Sequence, residues 1–152
     1  MSEINTLLSL CAEIVNEEII KALAYLGEKC VTRVRDRSQS DSWIDHTQNL
    51  RNSIGYAVIN EGRKIIESAF AFASGGQEGP VAGKNLIESL VKVYSEVFAL
   101  IVVAGMNYAE KVEAMDNKVV LAECELWARS VMQEHINKAI NKAMKRIEAL
   151  TL

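Results

Sequence analysis

The two ends of the chain place apolar residues at the spacing of an amphipathic helix. Between positions 4 and 34 apolar side chains recur every three or four residues, and a second such stripe runs from about Val119 to Leu150. The polar triplet at 16–18 interrupts the first stripe. The N-terminal pattern is compatible with one bent helix or with two successive helices, and we favour two. The C-terminal stripe predicts one long helix.

The middle of the chain predicts a small sheet. Residues 54–59 have strand composition, and the turn at 60–62 contains the glycine that a tight hairpin needs at positive φ. Alternating apolar residues over 66–72 predict the return strand. Residues 97–104 are apolar on both faces, which is typical of a buried strand.

Glycine, proline and polar residues mark the connections between these elements. Residues 35–42 predict an exposed connection, whereas the glycines and the single proline of Ser74–Gly83 predict a flexible loop. A helix is predicted after this loop, with Asn85 and Glu88 as a capping pair. The sequence therefore predicts a single α+β domain over residues 1–152. Its parts are a helical N-terminus (1–36), a loop and hairpin (43–72), a flexible loop (73–85), a helix and buried strand (86–104) and a C-terminal helix (119–150).

Composition narrows the classes of function. A chain of 152 residues with 49% apolar content fits one globular domain, and a net charge of −3 does not indicate a nucleic-acid partner. No apolar run reaches the roughly 20 residues that span a bilayer, and the first residues do not have the pattern of a signal peptide. Cys11, Cys30 and Cys124 are widely spaced, which favours reduced, buried thiols over disulfides.

No motif predicts a catalytic, cofactor-binding or metal site. Residues 79–84 are similar to a phosphate loop but have three residues between the glycines instead of four, and Asn85 follows where Ser or Thr is needed. The two histidines, His46 and His135, have no cysteine or histidine at ligand spacing. No nucleophile elbow supports a catalytic triad. We therefore expect a non-enzymatic protein without a cofactor.

Two clusters of basic residues allow alternative interpretations. Lys138 and Lys142 belong to a basic strip near the end of the last helix. There they complement the helix dipole or face an acidic partner subunit. A second cluster contains the arginines at 33, 35 and 37, with Arg51 nearby in sequence. For this cluster we favour a solvated loop over contact with DNA.

A polar segment precedes the predicted hairpin and has the sequence Asp45-His46-Thr47-Gln48-Asn49-Leu50-Arg51-Asn52-Ser53-Ile54. Asp45, Thr47 and Asn49 can cap or turn the backbone through their short polar side chains. Arg51 offers a rigid donor fork, and Asp45, Glu113 or a neighbouring subunit can supply its acceptor. The pattern is compatible both with a loop pinned to its own domain and with a subunit interface.

A second segment follows the predicted buried strand and has the sequence Ala104-Gly105-Met106-Asn107-Tyr108-Ala109-Glu110-Lys111-Val112-Glu113. Its glycine ends the strand, and Tyr108 combines an apolar ring with a polar tip. Together the two segments resemble a tailed-phage family of head–tail joining, or neck, proteins. Members carry Asp-x-Thr-Gly-Asn-Leu-Arg-x-Ser-Ile and, later, Tyr-Ala-x-x-Val-Glu. Gln48 departs from this pattern, because the family usually has glycine there.

The resemblance implies a structural virion protein of the head–tail junction, made in the cytoplasm of a bacterial host and assembled as a homo-oligomeric ring. Its implied partners are further copies of the chain and the neck proteins on the portal and tail sides. The resemblance leaves open whether the ring contacts the DNA that passes through it, and any such contact would lack sequence specificity; no membrane is involved. The candidate subunit-interface residues are Asp45, Thr47, Asn49, Arg51, Tyr108, Glu113, Lys138 and Lys142. The alternative is a non-enzymatic helical adaptor or regulatory module of a bacterial host.

Overall fold

The computed structural model describes residues 2–35, 49–70, 77–106 and 121–150. The fold is α+β, as predicted, and the described strands form a three-stranded antiparallel sheet. In chain order the elements are α1 (Ser2–Arg35), α2 (Asn49–Asn52), β1 (Ile54–Asn60), β2 (Arg63–Glu67), α3 (Glu78–Val91), β3 (Phe98–Ala104) and α4 (Ala122–Leu150).

β1 is the central strand of the sheet, whose order is β2-β1-β3. It pairs with β3 from Ile54 to Asn60 and with β2 through a hairpin. At the turn Glu61 has φ 51° and Gly62 has φ 74°, the positive values that tight hairpins require. The predicted hairpin turn is therefore confirmed, although the return strand begins and ends earlier than the predicted range of 66–72. β3 was predicted to be the buried strand, but it lies at the edge of the sheet and only Ile101, Val103 and Ala104 are buried. β1, which has partners on both sides, is buried along nearly its whole length.

Helices cover both faces of the sheet. On one face Ile54, Tyr56 and Val58 belong to a core cluster shared with α1 and α4. On the other face Ala57 and Ile59 pack with α3. Successive β1 side chains point to opposite faces, so the strand feeds two separate clusters and is buried along nearly its whole length.

α1 is one continuous helix of 34 residues, so the preference for two successive helices was wrong. The polar triplet that suggested a break in α1 makes hydrogen bonds to α4. Arg146 donates hydrogen bonds of 2.9 Å to the carboxylates of Glu17 and Glu18. Glu18 is buried despite its charge. The apolar stripe is interrupted because this turn of α1 makes a polar contact with α4.

α3 begins inside the segment that the sequence predicted to be a flexible loop over 73–85. The helix covers Glu78–Val91, so the loop prediction was wrong from residue 78 onward, and 73–76 lie outside the described residues. The capping pair Asn85 and Glu88 was also wrong, because both residues lie in the interior of the helix.

The glycines of α3 serve close packing. A Cβ on Gly79 would lie 2.3 Å from the carbonyl oxygen of Asn49, and one on Gly83 would lie 2.6 Å from the carbonyl oxygen of Ser53. Pro80 occupies the first turn, where a helix makes no use of the missing N–H. The glycine- and proline-rich composition here belongs to a helix that approaches the neighbouring backbone very closely.

α1 and α4 lie antiparallel and form the helical layer on one face of the sheet. Near the C-terminal end of α1 the Cys30 thiol donates to the carbonyl oxygen of Cys124 over 3.7 Å. Nearer the N-terminal end, Glu18 accepts from Arg146 of α4. The predicted C-terminal helix is confirmed, and its buried residues, Cys124, Ala128, Ala139 and Ala143, lie on the predicted apolar face.

Candidate subunit-interaction surfaces

The described part of the first polar segment is packed within its own subunit. The side-chain oxygen of Asn49 accepts hydrogen bonds from the backbone N–H groups of Glu78 (3.1 Å) and Gly79 (3.2 Å). These are orphan donors at the start of α3, so Asn49 caps that helix from a distant part of the chain. Ser53 closes the α2 turn by donating to the carbonyl oxygen of Leu50 over 2.7 Å. The segment therefore fixes α3 against the start of β1.

The structure describes only some of the predicted interface residues. Arg51 is half-buried in α2, and its role in a subunit contact stays a prediction. The other residues predicted from the two family-like segments lie outside the described residues; they are Asp45, Thr47, Tyr108 and Glu113.

The basic strip of α4 forms one wall of a groove between α1 and α4. Lys138, Lys142 and Lys145 line this wall, and Lys21 belongs to the lining from α1. Between the lysines lie the small side chains of Ala22 and Ala139 and the neighbouring rings of Tyr25 and His135. The cavity has a volume of about 510 Å³. We call this feature the basic groove.

The charge of the basic groove is only partly neutralised. Lys138 pairs with Glu134 over 2.9 Å, and Lys21 pairs with Glu18 over 3.5 Å. The hydrogen bond from Lys138 holds the pKa of Glu134 below its ordinary value. Within the described ranges, the other two lysines of the groove have no carboxylate at ion-pair distance. The groove therefore presents uncompensated positive charge beside small apolar side chains.

Glu18 also lines this groove and links the two long helices. Burial by itself would raise the pKa of its carboxyl, but the hydrogen bond from Arg146 and the charge of Lys21 outweigh burial, and the pKa is lowered. A lowered native pKa contributes stability above the unfolded pKa of about 4.3, and this stability is lost as the pH falls through the native value.

Glu18→Gln should therefore lower the melting temperature at pH 7 by about 2 to 4 °C in a chain of this size. The difference from wild type should shrink as the pH falls below about 4, because wild type loses the same charge there. Thermal melts between about pH 7 and pH 3 measure this, with Glu96→Gln, at an exposed position just before β3, as the control. A difference that stays constant with pH would contradict the assignment.

The second basic cluster is not an open patch in the described residues. Arg35 is half-buried and donates to the carbonyl oxygens of Ile54 and Ala69, the latter over 3.1 Å. Arg33 pairs with Glu123 over 3.3 Å and lies 5.0 Å from the centre of the Trp127 ring. The prediction of a loop was wrong for these two arginines, because both belong to α1: Arg35 joins the helix to the sheet, and Arg33, although exposed, contacts α4. The rest of the predicted connection, 36–42, lies outside the described residues.

A set of exposed apolar residues at the start of α1 was not predicted from the sequence. Ile4, Leu7, Leu8 and Leu10 are 58%, 44%, 62% and 39% exposed. Their helical spacing predicted an amphipathic helix, and in the structure every residue from 2 to 10 of that helix is exposed. We call Ser2–Glu13 the arm.

The three cysteines divide between the core and the arm. Cys30 and Cys124 are buried, as predicted, and lie side by side. The prediction of a buried thiol was wrong for Cys11, which is half-exposed. The hydrogen bond between the two buried cysteines, together with burial, raises the pKa of Cys124. Cys11 is the most accessible of the three, because the other two are buried. The described residues contain no group of three His, Cys, Asp or Glu side chains that could hold a metal ion.

No family model, no curated protein and no solved structure matches this chain. Among the residues with described positions, no helix combines the length and apolar character needed to cross a membrane. Function must therefore be inferred from the two family-like segments and from the surfaces described above.

Proposed function

We propose that this protein is a non-catalytic structural subunit of the head–tail junction of a tailed bacteriophage, present in the virion as a homo-oligomeric ring. It is made in the cytoplasm of the bacterial host and binds neck proteins on the portal and tail sides. The resemblance of residues 45–54 and 104–113 to the head–tail joining family supports this location.

The observation that carries the proposal is the exposure of the arm. A contiguous set of large apolar side chains on a folded surface is characteristic of a protein-interaction site. Ile4, Leu7, Leu8 and Leu10 form such a set within the first turns of α1. A subunit whose role is to assemble needs a surface of this kind. A ring forms when one surface of a subunit binds a different surface of the next and the rotation closes.

A test in a phage that carries this gene separates a structural role from a catalytic one. A null allele should still produce DNA-filled heads and complete tails, but the two should remain unjoined or the heads should lose their DNA. Purified protein added to such extracts should restore joined particles in proportion to the number of subunits added. Particle counts by electron microscopy and plaque titre measure the result.

Rescue by far fewer subunits than particles would contradict the structural role, because each joined particle needs its own set of subunits. Joined particles that contain no copies of the protein would contradict it too. A purified protein that stays monomeric and captures host proteins would favour the adaptor alternative.

A further inference from the structure

We propose that the arm of one subunit binds in the basic groove of a second copy of this chain. This contact rests on the proposed function in one respect, since both require the chain to associate with itself. The arm–groove contact goes further than the proposed function, because it specifies which two surfaces of the chain meet.

The arm extends beyond its partner helix. Glu18 of α1 lies beside Arg146 of α4. After this contact the described part of α4 runs to Leu150, roughly 6 Å of helix at about 1.5 Å per residue. Before the same contact α1 extends back to Ser2, roughly 24 Å of helix. The excess length of α1 is the part whose apolar side chains are exposed.

The arm and the basic groove have opposite charges. The arm contains two acidic residues, Glu3 and Glu13, and no lysine or arginine. The groove is lined by four lysines, and within the described residues two of these, Lys142 and Lys145, have no carboxylate partner. Such complementarity favours a contact between these two surfaces and disfavours arm–arm or groove–groove contacts.

The groove also has a lining that suits an apolar helix. Ala22 and Ala139 are small, so a second helix can approach closely and insert its larger side chains between the lysine stems. Ile4 and Leu7 each precede a groove residue, Ala22 and Tyr25, by 18 residues, which is about five helical turns. The apolar side of the arm is therefore the same side of α1 that lines the groove.

The arm of a subunit cannot reach its own groove. The arm and the α1 wall of the groove belong to one helix, which runs without a break from Ser2 to Arg35, and a continuous helix cannot fold back on itself. An arm that fills this groove must therefore come from another molecule. A second copy always supplies an arm of the right charge and apolar character. Because arm and groove are different surfaces, the contact closes as a reciprocal pair or, made head to tail, as a ring.

Charge reversal tests the pairing directly. An arm variant carrying Glu3→Lys and Glu13→Lys should fail to associate, and so should a groove variant carrying Lys142→Glu and Lys145→Glu, because each now has arm and groove of like charge. An equimolar mixture of the two should associate again, since each arm then meets a groove of opposite charge. Sedimentation or mass photometry measures the size of the species, and circular dichroism confirms that each variant is folded.

A second measurement follows the apolar contact. Leu7→Lys should abolish association, whereas Leu126→Lys, at a leucine that is 70% exposed on α4, should leave it unchanged.

Alkylation of Cys11 should slow by about tenfold when about nine tenths of the subunits are assembled, because only free subunits react. Cys30 and Cys124, which are buried in the subunit core, are internal controls.

The outcomes separate this contact from the proposed function. Rings that form equally well with Leu7→Lys, or a mixture of the charge variants that does not associate, would overturn the arm–groove contact and leave the ring in place. A mixture that associates only into closed pairs would support the contact and count against the ring. A wild-type chain that stays monomeric would overturn both.

Discussion

Gly79→Ala should destabilise the protein by about 1 to 3 kcal/mol, the cost typical of overpacking a close contact. At an exposed position inside a helix the same change stabilises by about 1 kcal/mol. Here the added Cβ would lie 2.3 Å from the carbonyl oxygen of Asn49 and 2.8 Å from the Cβ of Asn52. The backbone of α2 would have to move, and the hydrogen bonds by which Asn49 caps α3 would lengthen.

Urea unfolding of Gly79→Ala and of Val81→Ala measures the change in the free energy of unfolding. Val81 lies two residues away in α3 and is 60% exposed, so its substitution should change the free energy of unfolding by no more than about 0.5 kcal/mol. An alanine at position 79 that leaves stability equal to or above that of wild type would show that α3 does not pack on α2 as described.

Leu26→Ala should lower the free energy of unfolding by about 2 to 5 kcal/mol, the range for replacing a fully buried leucine and leaving a cavity. Leu26 is 0% exposed in α1, where its neighbours Gly27 and Cys30 face β1 and α4. The loss is a large share of the total stability of a domain of this size. Association should weaken as well, because α1 carries both the core contact and the arm.

The matched control is Leu126→Ala in α4, the same chemical change at a side chain that is 70% exposed. It should be nearly neutral, within about 0.5 kcal/mol. Denaturant midpoints and slopes distinguish lost stability from a change in the denatured state. A Leu26→Ala protein as stable as the control would contradict the complete burial of this leucine.

Local periodicity predicted the elements whose signals are local. The stripe of α4 and the hairpin with Gly62 at positive φ were both predicted, because side-chain spacing and turn chemistry act over a few residues. α3 was missed at its start because Gly79 and Pro80 resemble loop residues unless the backbone that they approach is known. The central place of β1 was missed because strand order depends on long-range pairing.

For the interaction surfaces, too, local features were predicted from the sequence and features that depend on tertiary packing were not. Lys138 and Lys142 were predicted as one strip from their spacing on a single helix. Lys21 and Ala22 could not be added, because the register of α1 against α4 is set by tertiary contacts such as Glu18 with Arg146. The exposure of the arm was not predicted for a related reason: helical spacing shows that a stripe is apolar and does not show which molecule covers it.

The continuity of α1 restricts how the arm can change. One residue inserted between Glu13 and Glu18 would rotate every arm side chain by about 100° relative to the sheet. The side of the arm that now follows the groove lining would then point elsewhere, although no arm residue had been altered. About seven inserted residues would restore the direction to within about 20° and lengthen the arm by roughly 10 Å. The arm therefore keeps its direction only when its length changes by close to a whole number of helical turns, such as about 7, 11 or 18 residues, whereas its chemistry can vary residue by residue.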